Sequence, residues 1–228
     1  MWTPWGMPDL AAQIMMACAT GMFAWVLARL AWILPRAIDS DLPTLATRRH
    51  QLCRRLLLLG GPVAGIVAAA LFGQTPAALA AGLFIVTLLT LGWIDGETGL
   101  LPDALTLPLL WAGLLLNLRV GYVPLEDAVL GAVAGYGVLW VVFWLFLLLT
   151  QREGMGRGDF KLLAAQGAWL GWAALPWILL VSSGLALIVA VILRATGRLQ
   201  PGAPMSFGPY LAFGGVAVML GFYGGLPR

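Results

Sequence analysis

The chain has 228 residues, of which 61% are apolar and only 23 are charged, 13 basic and 10 acidic, for a net charge of +3. A soluble domain carries roughly 45–50% apolar and about 25% charged residues, so this composition excludes an ordinary water-facing surface. It also speaks against nucleic acid as a partner, because Lys and Arg are scattered between apolar runs and form no basic face.

Read in chain order, apolar runs fall at residues 10–28, 56–72, 77–94, 105–118, 128–149, 160–170, 173–193 and 207–222, separated by Pro, Gly or charge. The spacing predicts an all-α fold, a polytopic transmembrane bundle of about eight helices in a single domain over residues 1–228, with membrane lipid as its solvent. The first run lacks a basic segment before it and is expected to be a retained helix, not a cleaved signal. Residues 73–76 and the pair Gly171-Trp172 leave room only for turns. The fourth and sixth runs are the shortest. Gly61/Gly65, Gly131/Gly135 and Gly167/Gly171 have the spacing of close helix contacts. Nothing in the pattern specifies an oligomeric state.

Orientation follows from the bases. With the N-terminus outside, Arg36, Arg48, Arg49, Arg54, Arg55, Arg152, Arg157, Lys161, Arg194 and Arg198 fall on the cytoplasmic side, ten of the thirteen. Residues 36–55 are then expected to be a short basic cytoplasmic loop. His50 within it has no neighbours spaced for metal ligation and is expected to be solvated. Cys18 and Cys53 form neither a disulfide framework nor a zinc motif.

Of the ten carboxylates, Asp95, Glu97, Asp103, Glu153 and Asp159 map to one end of the third to sixth runs. Charge at the hydrocarbon edge is costly without a partner, which makes Asp95 and Asp159 candidate functional groups. The alternative is interfacial capping, with Asp159 complementing the start of its helix. A second alternative is a transporter or channel using Asp95 and Asp159 for proton or cation relay, but no internal repeat is visible and the helix centres are nearly free of charge.

The segment DGETGLLPDALTLPLLWAGL at 95–114, followed by GMGRGDFKLLAA at 154–165 and GAWLGW at 167–172, resembles the type IV prepilin peptidases, intramembrane aspartic proteases of the GxGD class. A weaker echo is SFGP at 206–209, where the family usually has Pro before Phe. The resemblance is firm over 90–172. It implies that Asp95 and Asp159 are the catalytic pair, that Gly156 and Gly158 admit an extended substrate backbone, and that the substrate is a type IV prepilin or pseudopilin with a basic leader cut at the cytoplasmic face of a bacterial inner membrane. A presenilin-type GxGD protease would place a Tyr before the first Asp, whereas Ile94 stands here.

Two carboxylates within reach share a proton, so that one takes a proton from water while the other donates to the amide. Glycine lacks Cβ and can adopt dihedrals other residues avoid, the role expected of Gly156 and Gly158. Glu97, Asp103 and Glu153 either meet the basic leader or are solvated. Lys161 is expected to anchor to lipid phosphates. Larger members of the family carry a cytosolic domain with two CxxC pairs between the first two helices and methylate the new N-terminus. Residues 36–55 hold Cys53 alone, so no cofactor is expected: no zinc, and methylation absent or left to another enzyme.

Overall fold

The computed structural model describes residues 9–43, 45–73, 75–119, 121–151, 155–198 and 205–223. These form eight α-helices in chain order: α1 (Asp9–Ile38), α2 (Arg48–Phe72), α3 (Pro76–Thr98), α4 (Asp103–Arg119), α5 (Leu125–Thr150), α6 (Gly158–Leu170), α7 (Leu175–Ala195) and α8 (Gly208–Val218), the last running on as a π turn to Tyr223. No strand occurs among the described residues. Five helices are long and apolar enough to cross a membrane, those containing the first, second, third, fifth and seventh runs. The protein is a multi-pass helical membrane bundle.

The helix boundaries have local causes. Thr47 caps α2 by accepting from the His50 N–H at 3.0 Å, and Thr75 caps α3 by accepting from the Ala78 N–H at 3.2 Å, each replacing a bond the first helical turn lacks. Pro76 then starts α3, where its missing N–H costs nothing. The expected turn at 73–76 contains Gly73 at φ 70°, a conformation that favours glycine, and Gly171 at φ 74° ends α6 in the same way. Pro102 accepts from the amides of Leu105 and Thr106 and so closes the first turn of α4.

One boundary is corrected. The segment expected as a loop over 36–55 is mostly helix: Arg36 lies in the last turn of α1, Arg48–Arg55 occupy the first two turns of α2, and only nine residues, 39–47, separate the two helices. Arg36 prolongs α1 by donating to the carbonyls of Trp32 and Pro43, both at 2.9 Å, and by covering the Trp32 ring.

Burial ranks the helices. The most apolar stretch of α3 is 72% buried, that of α5 only 17%. Every residue of α6 from Asp159 to Leu170 except Lys161 is buried. At about 20 Å, α6 is shorter than the hydrocarbon core, and α4 at about 25 Å is also short. Protein, not lipid, surrounds α6: α5 packs on one side and α4 on another, while α8 touches both α6 and α3.

Small residues set these contacts. A Cβ on Gly131 or Gly167 would overlap the other's backbone carbonyl, so α5 and α6 meet main chain to main chain. Gly61 and Gly65 of α2 likewise make room for α1, for the Ala24 methyl and the Thr20 hydroxyl. The Gly171 backbone joins the same contact as Gly167, 2.8 Å from where a Cβ on Gly131 would stand, and Gly171 also turns the chain. Directed bonds then fix rotation: Trp169 Nε1 donates to the Leu109 carbonyl at 2.8 Å, Asn117 Nδ2 to Ala168 at 2.9 Å, and Gln166 Nε2 to Leu211 at 3.0 Å. Thus α6 is tied to α4 and to α8.

Candidate active site

Asp95 sits in the last turn of α3 and Asp159 in the first turn of α6, the two most enclosed helices of the bundle. Both side chains are buried, Asp95 at 6% exposure and Asp159 at 4%. Burial dominates the surroundings of both carboxyls, and Asp95 is near enough to Asp159 for their charges to oppose each other although α3 and α6 hardly touch. Neither forms an ion pair among the described residues.

Their hydrogen bonding differs. Asp95 Oδ2 accepts from the Gly208 N–H at 3.0 Å, at the start of α8, while the Asp95 carbonyl accepts from Gly99 at 2.8 Å to close α3. Asp159 Oδ1 is buried and has no hydrogen-bond partner. That observation removes the capping alternative for this oxygen, since a cap would spend it on a backbone amide of the first helical turn. A buried acceptor without a partner costs about 1–3 kcal/mol, a cost retained where the atom has other work to do.

The two glycines of the Gly-Arg-Gly-Asp turn are placed differently from each other. Neither has a positive φ. A Cβ on Gly158 would lie 2.7 Å from Leu101 Cβ, so this glycine lets the 99–102 turn close onto the start of α6. A Cβ on Gly156 would meet only Asp159 Oδ2 at 3.8 Å, an ordinary contact. Gly156 therefore faces open space beside the carboxylate.

The remaining acidic candidates are placed unequally. Glu97 is within α3, not in a loop, and its carboxylate accepts from Trp93 Nε1 at 2.8 Å and Thr47 Oγ1 at 3.2 Å and meets His50 Nδ1 at 2.9 Å. His50 itself is 4% exposed, with its ring between Trp32 and Trp93, which corrects the expectation that it is solvated. Asp103 pairs with Lys161 at 2.7 Å, so Lys161 bridges α4 and α6 and does not reach toward lipid phosphate as expected. Glu153 lies outside the described residues. Among those residues no group of three or more His, Cys, Asp or Glu side chains is arranged to hold a metal ion.

Gly208 is the site residue whose role the sequence did not disclose. Its signal was the SFGP stretch, but nothing in that stretch names Asp95 as its partner. A Cβ at 208 would stand 2.5 Å from Asp95 Oδ2, so only glycine admits the carboxylate to the N–H of that position. The following residues seat α8 on the same face of α3: Pro209 and Ala212 approach Gly92, and Pro209 approaches Gly96.

Comparison with known proteins agrees with this geometry. The model of the type IV leader peptidase family matches residues 82–191, a stretch that includes both aspartates. A prepilin leader peptidase/N-methyltransferase of Dickeya chrysanthemi is 40% identical over 225 residues, 98% of this chain and 76% of that protein. The chain belongs to the type IV leader peptidase family. A relative with the same name from Escherichia coli is 49% identical over 165 residues, covering 70% of this chain and 71% of its own, and one from Aeromonas salmonicida is 57% identical over 142 residues, 62% of this chain and 49% of that protein. The chain spans about half the length of the Aeromonas and Burkholderia relatives it matches. No solved structure matches.

Proposed function

We propose that this leader-peptidase family member is a membrane-embedded aspartic endopeptidase that removes the basic leader from type IV prepilins or pseudopilins at the cytoplasmic boundary of a bacterial inner membrane, N-terminus outside. The observation that carries the reading is two buried carboxylates at helix ends, Asp95 closing α3 and Asp159 opening α6, with Asp159 Oδ1 buried and unpartnered. A water held between the carboxylates loses a proton to one of them as its oxygen attacks the scissile carbonyl. The other carboxyl protonates the carbonyl oxygen, and collapse of the tetrahedral species expels the amine with a proton returned from the pair. Gly208 fixes one oxygen of Asp95, and the space beside Gly156 lets an extended substrate backbone approach Asp159.

A proton or cation relay has less support. It needs polar groups that exchange partners through the bundle, whereas Thr20, Thr90 and Ser182 donate to carbonyls of their own helices at 2.8, 2.8 and 2.6 Å. Glu97 is engaged within the protein, whereas Asp103 is half-exposed beside Lys161 and remains open to a basic leader. The experiment that tests the reading is co-expression with candidate prepilins, followed by N-terminal sequencing of the product. Cleavage between leader and apolar segment is expected; an intact prepilin with a correctly inserted enzyme contradicts it.

A further inference from the structure

A cavity of about 730 Å³ lies between α1 and α2, apart from both catalytic aspartates. Arg29, Trp32, His50, Gln51, Arg54 and Arg55 line it. Its size is in the range of small-molecule sites. Arg29, Arg54 and Arg55 are exposed and form no ion pair among the described residues, in contrast to Arg36, whose guanidinium is spent on two carbonyls. His50 is buried and uses Nδ1 toward Glu97, while its Nε2 has no hydrogen-bond partner among the described residues.

Depth sharpens the chemistry. Arg29 is nine residues, about 13 Å, inside the end of α1 at Ile38, and Arg54 and Arg55 are about 9–10 Å inside the start of α2 at Arg48. Three guanidinium groups lining one cavity one to two turns within a membrane helix pair repel one another, which an anion at the same depth relieves. Leu58, one turn deeper than Arg54 and Arg55, continues the cavity wall as hydrocarbon. An anionic group carrying an apolar chain matches that sequence of surfaces.

We propose that this cavity binds the phosphate headgroup of an anionic phospholipid, with Arg29, Arg54 and Arg55 on the phosphate oxygens and the acyl chains along α2. The site is independent of the peptidase reading.

Native mass spectrometry of the full chain, purified in neutral detergent and offered phosphatidylglycerol or phosphatidylcholine, tests it. Wild type retains phosphatidylglycerol in preference to phosphatidylcholine, and the preference falls about fivefold for each arginine replaced in the Arg29→Gln, Arg54→Gln, Arg55→Gln series. Arg194→Gln, on α7, leaves it unchanged. A photoactivatable phosphatidylglycerol labels peptides spanning 25–33 or 51–58 in the wild-type protein, a readout that stands even where the triple variant does not fold. Undiminished preference in the triple variant, labelling confined to other helices, or displacement of the lipid by millimolar inorganic phosphate would overturn the assignment.

Discussion

Asp95 and Gly208, 113 residues apart, are joined by one hydrogen bond of 3.0 Å from the glycine N–H to the carboxylate Oδ2. The bond exists because position 208 carries no side chain, and it is the one directed contact the described residues make with the Asp95 side chain. Gly208→Ala is therefore expected to push the carboxylate off its position while leaving the bundle folded. A displacement of about 1 Å at a reacting group costs on the order of 10²-fold in rate. Steady-state cleavage assays on the purified variant check this; a wild-type kcat would show that the contact does not orient Asp95.

Glu97 and Asp103 give opposite expectations despite similar positions near the site. Glu97→Ala strips partners from Trp93 Nε1, His50 Nδ1 and Thr47 Oγ1 and is expected to cost about 1–3 kcal/mol of stability. Asp103→Asn breaks a half-exposed pair with Lys161 and is expected to cost less than about 1 kcal/mol. Thermal unfolding in detergent separates the two. Equal shifts in Tm would mean that the Glu97 network contributes no more than a surface ion pair.

Most of the fold was legible because apolar run length and membrane thickness leave few choices: the runs at 128–149 and 160–170 became α5 (Leu125–Thr150) and α6 (Gly158–Leu170) almost unchanged. The start of α2 was not legible, since Arg48, Arg49, Arg54 and Arg55 read as loop charge although the Thr47 cap lets them form helix. Of the site, the two aspartates and the Gly-Arg-Gly-Asp turn stood out because ionisable groups are scarce in this chain. What stayed hidden were partnerships across many residues, His50 with Glu97 and Lys161 with Asp103. Local spacing carries no information about which distant side chain a group will meet, and a single histidine among arginines resembles a solvated one until Trp32 and Trp93 close over it.

The crossing of Gly131 and Gly167 holds α6, and with it Asp159, against α5. Gly167→Val forces side-chain atoms into the Gly131 carbonyl and is expected to separate the helices, with loss of folded protein. Gly137→Val, on α5 where a Cβ meets nothing within 4 Å, is expected to be tolerated. Yield of monodisperse protein by size-exclusion chromatography distinguishes the pair. Comparable yields would contradict the close-contact account.

The relatives' name includes N-methyltransferase. In this chain the connection between α1 and α2 is residues 39–47, too short to bury a core around a methyl donor, and Cys53 supplies at most one of the four ligands a structural zinc takes. Mature pilin produced by the purified protein with S-adenosylmethionine is accordingly expected to carry an unmethylated N-terminus. Intact mass spectrometry reads this directly, and a methyl group added in dependence on this protein would overturn it.

If Asp95 and Asp159 act as one catalytic unit, as proposed, neither works without the other. The most direct measurement is the rate of prepilin cleavage by purified Asp95→Asn, Asp159→Asn and the double variant, each shown by size-exclusion chromatography to be folded. Either single change is expected to abolish cleavage and the double change to cost little more, because groups working as a unit are non-additive. Cleavage at the wild-type rate by either single variant would contradict it.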